Sequence, residues 1–212
     1  MSDFVSRIHD RIKYQVLRLE ELNRERIFGI GLSRTGTTTL CKSLELLGYK
    51  SFHMPPILRL SSKGSLDLDW PWWLNKYDAF SDTPIARFFV ELDQKFPNSK
   101  FIQTVREKEA WLESCRKHFS VPFPKTWEVL NQELYGSSSF DRELFSEAYD
   151  RYNKTVNEYF QGRTDFIKIN FCSGEGWNQL CSFLHKDVPD IGVPRENYKR
   201  YATENSNKER ER

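Results

Sequence analysis

The chain has 212 residues, and its 32 lysines and arginines nearly balance its 30 aspartates and glutamates, leaving a net charge of +2. This length suffices for one domain with a substantial core but is short for two, and the near-neutral balance gives no indication of a nucleic-acid partner. Aromatic residues make up 15% of the chain, so we expect a bulky core, an aromatic-lined pocket, or both.

The cysteines and the apolar runs exclude several classes of protein. Cys41, Cys115, Cys172 and Cys181 are widely spaced, with no C-x-x-C pair and no histidine cluster nearby. This spacing predicts reduced thiols and no metal site. The sequence has no apolar core of a signal peptide at its start, and no run approaches the ~20 apolar residues of a membrane span. We therefore expect a cytoplasmic protein without a membrane span.

The first predicted element is an amphipathic helix within residues 1–24. Its apolar residues recur every three or four positions, at Phe4, Ile8, Ile12, Val16 and Leu19, which is the spacing of one helical face. The helix could pack on the rest of the fold or on a second copy of the chain, so a homodimer is an open alternative.

Residues 26–48 are predicted to form a strand, a tight turn and a helix. Leu40, Leu44 and Leu47 fall on one helical face and Gly48 follows as a stop signal. The glycines at 31 and 36 of the intervening loop let backbone N–H groups converge on an anion at the helix N-terminus. The loop therefore predicts a cradle for a phosphate-like group.

This loop differs from the nucleoside-triphosphate loop G-x-x-x-x-G-K-[ST] at the lysine position, where the chain has Thr37. The cation lies three residues earlier, as Arg34, and the hydroxyls of Thr38 and Thr39 follow Thr37. A γ-phosphate and its magnesium ion would lose their usual partners here.

The next strand is predicted at residues 49–53, and it places His53 at a strand end beside the loop. A lone histidine is more often structural than catalytic, so both roles are open. Residues 57–76 are predicted to be turn-like. Their tryptophans, Trp70, Trp72 and Trp73, either form an acceptor-side loop that clasps a ring or close the core as a hydrophobic flap.

A third strand at residues 77–81 leads into Asp82, and a helix is predicted from Thr83 to about Phe96. Ligands of open α/β sheets bind at the carboxyl ends of the strands, so Asp82 is a candidate general base. The alternative is a carboxylate that only stabilises the helix N-terminus.

A fourth strand at residues 100–105 is followed at once by Arg106, and Ser114 lies eight residues later on a helix predicted over 107–119. An arginine at a strand end and a serine two turns into the next helix can hold one phosphate from two sides. The sequence does not fix the direction of His118 or of residues 121–127, although both could approach an acceptor pocket.

The remaining elements are a long helix over residues 141–160, a fifth strand over 166–170 and a helix after Trp177. Residues 198–212 have no apolar periodicity and are predicted to be a disordered tail. Strands alternate with helices throughout, which predicts a single α/β domain over residues 1–197, with three layers and a mainly parallel central sheet.

The motif Arg34-Thr35-Gly36-Thr37-Thr38 resembles the 5′-phosphosulfate loop of the P-loop sulfotransferases, [K/R]-[S/T]-G-T-[T/S]. The arginine form is similar to that of the tyrosylprotein branch and of many bacterial members. The wider run GLSRTGTTTL, followed by ELLGYKSFHM, resembles a small sulfotransferase-like branch, and the resemblance spans residues 27–197.

This resemblance implies a metal-independent transferase that uses 3′-phosphoadenosine 5′-phosphosulfate (PAPS) as donor and releases adenosine 3′,5′-bisphosphate. The acceptor would be a hydroxyl or amine on a small molecule, a glycan or a peptide. Arg106 and Ser114 would hold the 3′-phosphate, Arg34 would act in catalysis, and Asp82 or else His53 would be the base. The 5′-phosphosulfate would be held by Ser33, Arg34, Thr35, Gly36, Thr37, Thr38 and Thr39.

Two departures from the family pattern keep other functions open. The cytosolic branch has a histidine at the strand end where this chain has Ser81-Asp82-Thr83-Pro84, and its Arg-Lys-Gly signature is missing near residues 171–177. A non-catalytic nucleotide-binding relative and a P-loop kinase with a degenerate loop are therefore the alternatives.

Overall fold

The computed structural model describes residues 24–174 and 176–194. The helix predicted within residues 1–24 and the tail predicted at 198–212 lie outside the described residues, apart from residue 24.

Five short parallel strands form the central sheet, in the order β2-β5-β1-β6-β7. Most of their side chains are buried on both faces, which is typical of a parallel sheet covered by helices. In chain order the strands are β1 Ile27–Gly29, β2 Ser51–His53, β3 Leu58–Leu60, β4 Leu66–Leu68, β5 Ala79–Ser81, β6 Lys100–Thr104 and β7 Phe166–Ile169; β3 and β4 form a separate antiparallel hairpin.

Helices cover both faces of this sheet. They are α1 Thr37–Leu46, α2 Thr83–Arg87, α3 Phe89–Lys95, α4 Lys108–His118, α5 Lys125–Tyr135, α6 Arg142–Tyr159 and α7 Trp177–Leu184, with 3₁₀ turns at Trp72–Lys76 and Phe171–Ser173. Alternate residues of each strand point to opposite faces: Ile27 packs in a core with α1 and α7, whereas Phe28 packs in a larger core with the other helices. The predicted three-layer α/β fold is confirmed.

Three predicted elements differ from the structure. The helix expected from Thr83 to Phe96 is broken at Phe88, which separates α2 from α3. Helix α5 was not predicted, although Pro124 precedes its first residue and Gly136 ends it with a left-handed φ of 77°. Residues 57–76, expected to be turn-like, contain the β3–β4 hairpin and a 3₁₀ turn.

The interpretation of the tryptophans as an acceptor clasp is wrong. Trp70 packs edge-on against Phe80, with ring centroids 4.8 Å apart, and its Nε1 donates to Asn75 Oδ1. Trp73 packs against Phe52, and Trp72 is 83% exposed. Asn75 also accepts from the side chain of Arg26, just before β1, so this flap closes the core near the amino-terminal edge of the sheet.

Candidate active site

The β1–α1 loop lies at the carboxyl edge of the central strands and is shaped by two glycines. A Cβ atom on Gly31 would lie 1.9 Å from Thr104 Oγ1, so only glycine lets the loop pass this close to the end of β6. Gly36 has a φ of 106°, a conformation that side chains rarely adopt. Arg34 also has a positive φ, of 72°, so the loop holds its central cation in a strained turn.

Three aromatic side chains fix this loop from behind. Trp111 Nε1 donates to the carbonyl of Ser33 at 2.9 Å, and the Ser33 N–H donates to Tyr135 Oη at 3.3 Å. Tyr152 Oη donates to the carbonyl of Ile30 at 2.6 Å. Tyr135 is fully buried, and burial raises its pKa well above the ordinary value. The loop conformation is therefore set by helices α4, α5 and α6 before any ligand binds.

Helix α1 begins at Gly36 without a side-chain cap from the described residues and without an acidic residue in its first turn. By contrast, Glu107 caps α4 and Asp141 caps α6 with carboxylates. The first amides of a helix lack intrahelical partners and carry a partial positive charge. The arrangement of α1 suits an anion supplied from outside the chain, and its first three residues, Thr37, Thr38 and Thr39, add hydroxyls there.

Arg34, Arg106 and Ser114, which were predicted to bind the two anionic ends of a donor, lie next to one another in the fold. Arg34 Nε donates to Ser114 Oγ at 3.1 Å, and Arg106 Nη1 donates to the carbonyl of Arg34 at 3.4 Å. All three side chains are half-buried. Two neighbouring arginines, one of which also contacts a serine hydroxyl, form a site that can fork onto phosphate or sulfate oxygens.

A second cluster joins the helix N-terminus to Asp82. His53 Nε2 lies 3.2 Å from Thr38 Oγ1, 3.4 Å from Thr37 Oγ1 and 3.2 Å from Asp82 Oδ2. A proton on Nε2 is favoured by the carboxylate, and in this tautomer His53 donates to Asp82. Burial lowers the pKa of His53, an effect that the neighbouring Asp82 partly opposes. His53 is buried behind Asp82, which places it as an orienting partner of the carboxylate.

Asp82 has a strained backbone. Its φ of 88° and ψ of 179° fall in a region that is essentially restricted to glycine. Its Oδ1 accepts hydrogen bonds from both the backbone N–H and the hydroxyl of Thr83, at 2.8 and 3.0 Å. Both readings of Asp82 are thus compatible with the contacts: the carboxylate caps α2, and the strained turn also presents it at the strand edge.

Asp82 and Ser33 share the wall of a cavity of about 170 Å³. The opposite wall consists mainly of aromatic side chains from the end of α4 and the start of α5. The lining residues are Ser33, Met54, Asp82, Thr83, His118, Phe119, Phe123, Pro124, Trp127 and Asn131. The cavity can therefore hold a small apolar molecule beside the carboxylate.

The structure brings the residues proposed from the sequence into one region. Ser33, Arg34, Thr35, Gly36, Thr37, Thr38 and Thr39 form the loop and first helical turn, Arg106 and Ser114 adjoin Arg34, and His53 joins Thr38 to Asp82. One difference concerns Thr35, whose hydroxyl donates to the carbonyl of Leu32 and contacts Thr104 Oγ1. This buried side chain shapes the loop, so only its backbone remains suited to an anion.

Several residues of the site were not identified from the sequence. His118, Phe123, Pro124 and Trp127 line the cavity; the sequence offered them as residues that could approach a pocket but did not fix their direction. Asn131 and Tyr135 lie on α5, a helix that was not predicted, although the Pro124 and Gly136 boundaries were available as signals.

Within the described ranges, no group of three or more histidine, cysteine, aspartate or glutamate side chains could hold a metal ion. No helix in that same part of the chain has the length and apolar character needed to cross a membrane.

Sequence comparison identifies the class to which this fold and site belong. A family model described as "Sulfotransferase domain" matches residues 26–201, so the chain belongs to the sulfotransferase domain family. Among curated proteins it is similar to "Ava biosynthesis cluster protein M" of Aspergillus versicolor, at 25% identity over 213 aligned positions, which cover 80% of this chain and 79% of that protein.

Proposed function

We propose that the protein transfers a sulfuryl group from PAPS to a hydroxyl or amine of a small acceptor. The observation that carries this proposal is the junction at Ser33, where the cluster of Arg34, Arg106 and Ser114 adjoins the cavity that Asp82 lines. An anionic donor group and an acceptor could therefore meet at one point, as group transfer requires.

On the donor side, the amides at the start of α1, the Arg34 guanidinium and the hydroxyls of Thr37 and Thr38 would bind the 5′-phosphosulfate. Arg106 and Ser114 would hold the 3′-phosphate. The Arg34–Ser114 hydrogen bond of 3.1 Å joins these two subsites, and it supports a donor that carries anionic groups at both ends.

On the acceptor side, the oxygen or nitrogen of the acceptor would form a bond to sulfur while the bond from sulfur to the 5′-phosphate oxygen breaks. The acceptor proton would pass to Asp82, which His53 orients from behind at 3.2 Å. Arg34 and the helix amides would stabilise the negative charge that develops on the departing phosphate oxygen. Adenosine 3′,5′-bisphosphate would be the second product, and no step requires a metal ion.

The nature of the relative and the size of the cavity favour a small acceptor over a glycan or peptide. The name of that relative refers to a biosynthesis cluster, and the cavity, of about 170 Å³, is smaller than a typical drug-sized ligand pocket.

The test is calorimetric titration of the full chain with adenosine 3′,5′-bisphosphate in the presence of a chelator, beside ATP with magnesium. We expect the bisphosphate to bind and ATP not to bind. Arg106→Ala should weaken bisphosphate binding at least about tenfold, because a guanidinium that faces a phosphate is lost. Arg116→Ala, at an exposed position on α4, the helix that follows Arg106, is the matched control and should bind as the wild type does.

Each alternative function predicts a different result. Binding of ATP with magnesium alone would overturn the proposal and favour a kinase with a degenerate loop. Binding of the bisphosphate without transfer of sulfate from PAPS to any acceptor in a broad screen would leave a non-catalytic nucleotide-binding relative.

A further inference from the structure

Asn131 is the unexplained polar group of the cavity. It is 2% exposed, and its Nδ2 has no hydrogen-bond partner among the described residues. Buried polar groups in native proteins are nearly always paired, and Asn131 is one of the residues that line the cavity, so its amide is a candidate donor to a molecule bound there. Its helical position, four residues after Trp127, places both side chains on the same face of α5.

The wall around Asn131 is rigid and aromatic. His118 packs edge-on against Phe119 with ring centroids 4.9 Å apart, and Phe119 contacts Phe123 at 5.5 Å. Phe119 also packs against the buried Tyr135 at 5.2 Å. Interlocked rings give a surface that accepts another ring by edge or offset stacking.

The volume limits what can enter. A cavity of roughly 150 Å³ holds one benzene ring, and this cavity measures about 170 Å³. Among its lining side chains, His118 has its pKa lowered by burial and by Arg34, which favours the neutral imidazole, and Asp82 is the one acidic side chain among the lining residues. The cavity therefore suits a neutral single ring and disfavours an anionic one.

We infer that the acceptor is a neutral molecule that inserts a single aromatic ring between Phe119, Phe123 and Trp127, and that Asn131 selects it by donating its side-chain amide to an oxygen on that ring. This inference rests on the proposed function in one respect, namely that the bound molecule is the acceptor. The binding site itself is inferred from the cavity. Asp82 faces the ring hydroxyl that receives the sulfuryl group and takes its proton, and Asn131 binds a second, oxygen-bearing substituent of the ring. A sugar or peptide segment would leave its polar groups unpaired against the aromatic wall.

The test compares two probes of similar size on the full chain saturated with adenosine 3′,5′-bisphosphate. The probes are 4-hydroxybenzaldehyde, which has the second oxygen, and 4-methylphenol, which has a methyl group in its place; both are titrated in mildly acidic buffer, where each phenol is neutral. Binding is followed by calorimetry and by quenching of tryptophan fluorescence. We expect the aldehyde to bind about tenfold more tightly, as one additional hydrogen bond allows. In Asn131→Leu this preference should disappear, whereas the control Asn178→Leu, an exposed position on α7, should keep it.

A second variant keeps the shape of the cavity in case Asn131→Leu does not fold. Asn131→Asp replaces the donor with an acceptor, so the preference should move from the aldehyde to 4-(hydroxymethyl)phenol, which can donate. Equal binding of the first two probes to the wild type would overturn the inference, and so would an unchanged preference in both variants. Measuring ring binding without the bisphosphate separates the two proposals. If the rings bind with the expected preference but the bisphosphate does not bind, the proposed transferase function is wrong and the ring-binding site is supported.

Discussion

The two halves of the site are built in opposite ways. On the donor side, the loop backbone is fixed by hydrogen bonds from Trp111, Tyr135 and Tyr152, and its glycines allow close packing. On the acceptor side, the cavity has an aromatic wall and an amide, that of Asn131, with an unpaired Nδ2 within the described ranges. The backbone of the loop is thus fixed by the chain itself, whereas the cavity presents a polar group for which the described residues supply no partner. Under the proposed function, this contrast predicts one fixed donor and an acceptor that is selected by the cavity.

The largest effect is expected at Asp82, where the two halves meet. Removing the carboxylate should lower turnover by about 10²–10⁴-fold, the usual contribution of a general base. Asp82→Gly and Asp82→Ala should lose activity equally, but Asp82→Gly should be about 1 kcal/mol more stable, because only glycine relaxes at a φ of 88°. Turnover and urea unfolding of both variants are the measurements. Equal stability would show that the turn is not strained, and full activity of either variant would remove Asp82 from the mechanism.

The next effect concerns the fixed loop. Gly31→Ala places a Cβ atom 2.7 Å from the Thr104 carbonyl oxygen as well as against its hydroxyl, so the backbone of β6 or of the loop must move. We expect a loss of about 3 kcal/mol in the free energy of unfolding, at the upper end of overpacking effects, together with weaker bisphosphate binding. Gly192→Ala, which meets no atom within 4 Å, is the control. If Gly31→Ala matched this control, the loop would be adaptable and the contrast between the two halves would fail.

The smallest effect is a pH dependence due to His53. Its pKa lies below the ordinary value of about 6.5 because of burial. Between that lowered pKa and about 6.5 the unfolded chain binds more protons than the folded chain, so stability falls as the pH decreases through this window. His53→Asn should remove part of the slope, at most about 1.4 kcal/mol per pH unit. Urea unfolding at several pH values measures it, with the exposed His185→Asn as control; an unchanged slope in His53→Asn would contradict the buried neutral histidine.

The donor half could be predicted from the sequence because its information is local. The loop from Gly31 to Thr38 is one continuous segment, and Arg106 and Ser114 are separated by eight positions of a strand end and a helix. The rule that parallel strands present ligands at their carboxyl ends also placed His53 and Asp82 near the loop, although not their mutual contact with Thr38. Roles in donor binding and catalysis stay predictions until binding is measured.

The acceptor half could not be predicted because its residues come from distant segments. Asn131 is one polar residue of an amphipathic helix, and nothing in its neighbours distinguishes it from a solvated position. Residues 57–76 were predicted wrongly although their signal was local. Their Ser, Gly and Pro residues suggested a loop, whereas the alternation of Leu58, Leu60, Leu66 and Leu68 was the signal for a hairpin.

Ser33 lines the acceptor cavity, yet both of its backbone groups are held by Tyr135 and Trp111 from the other side. Ser33 therefore lies between the loop and the cavity, and its position does not depend on the molecule that fills the cavity. Substitutions of Trp127 or Asn131, which line the cavity, should accordingly change which molecules fit there while leaving the loop in place. The loop and the cavity can therefore be altered separately by mutation, because the segment between them is anchored by Trp111 and Tyr135, which do not line the cavity.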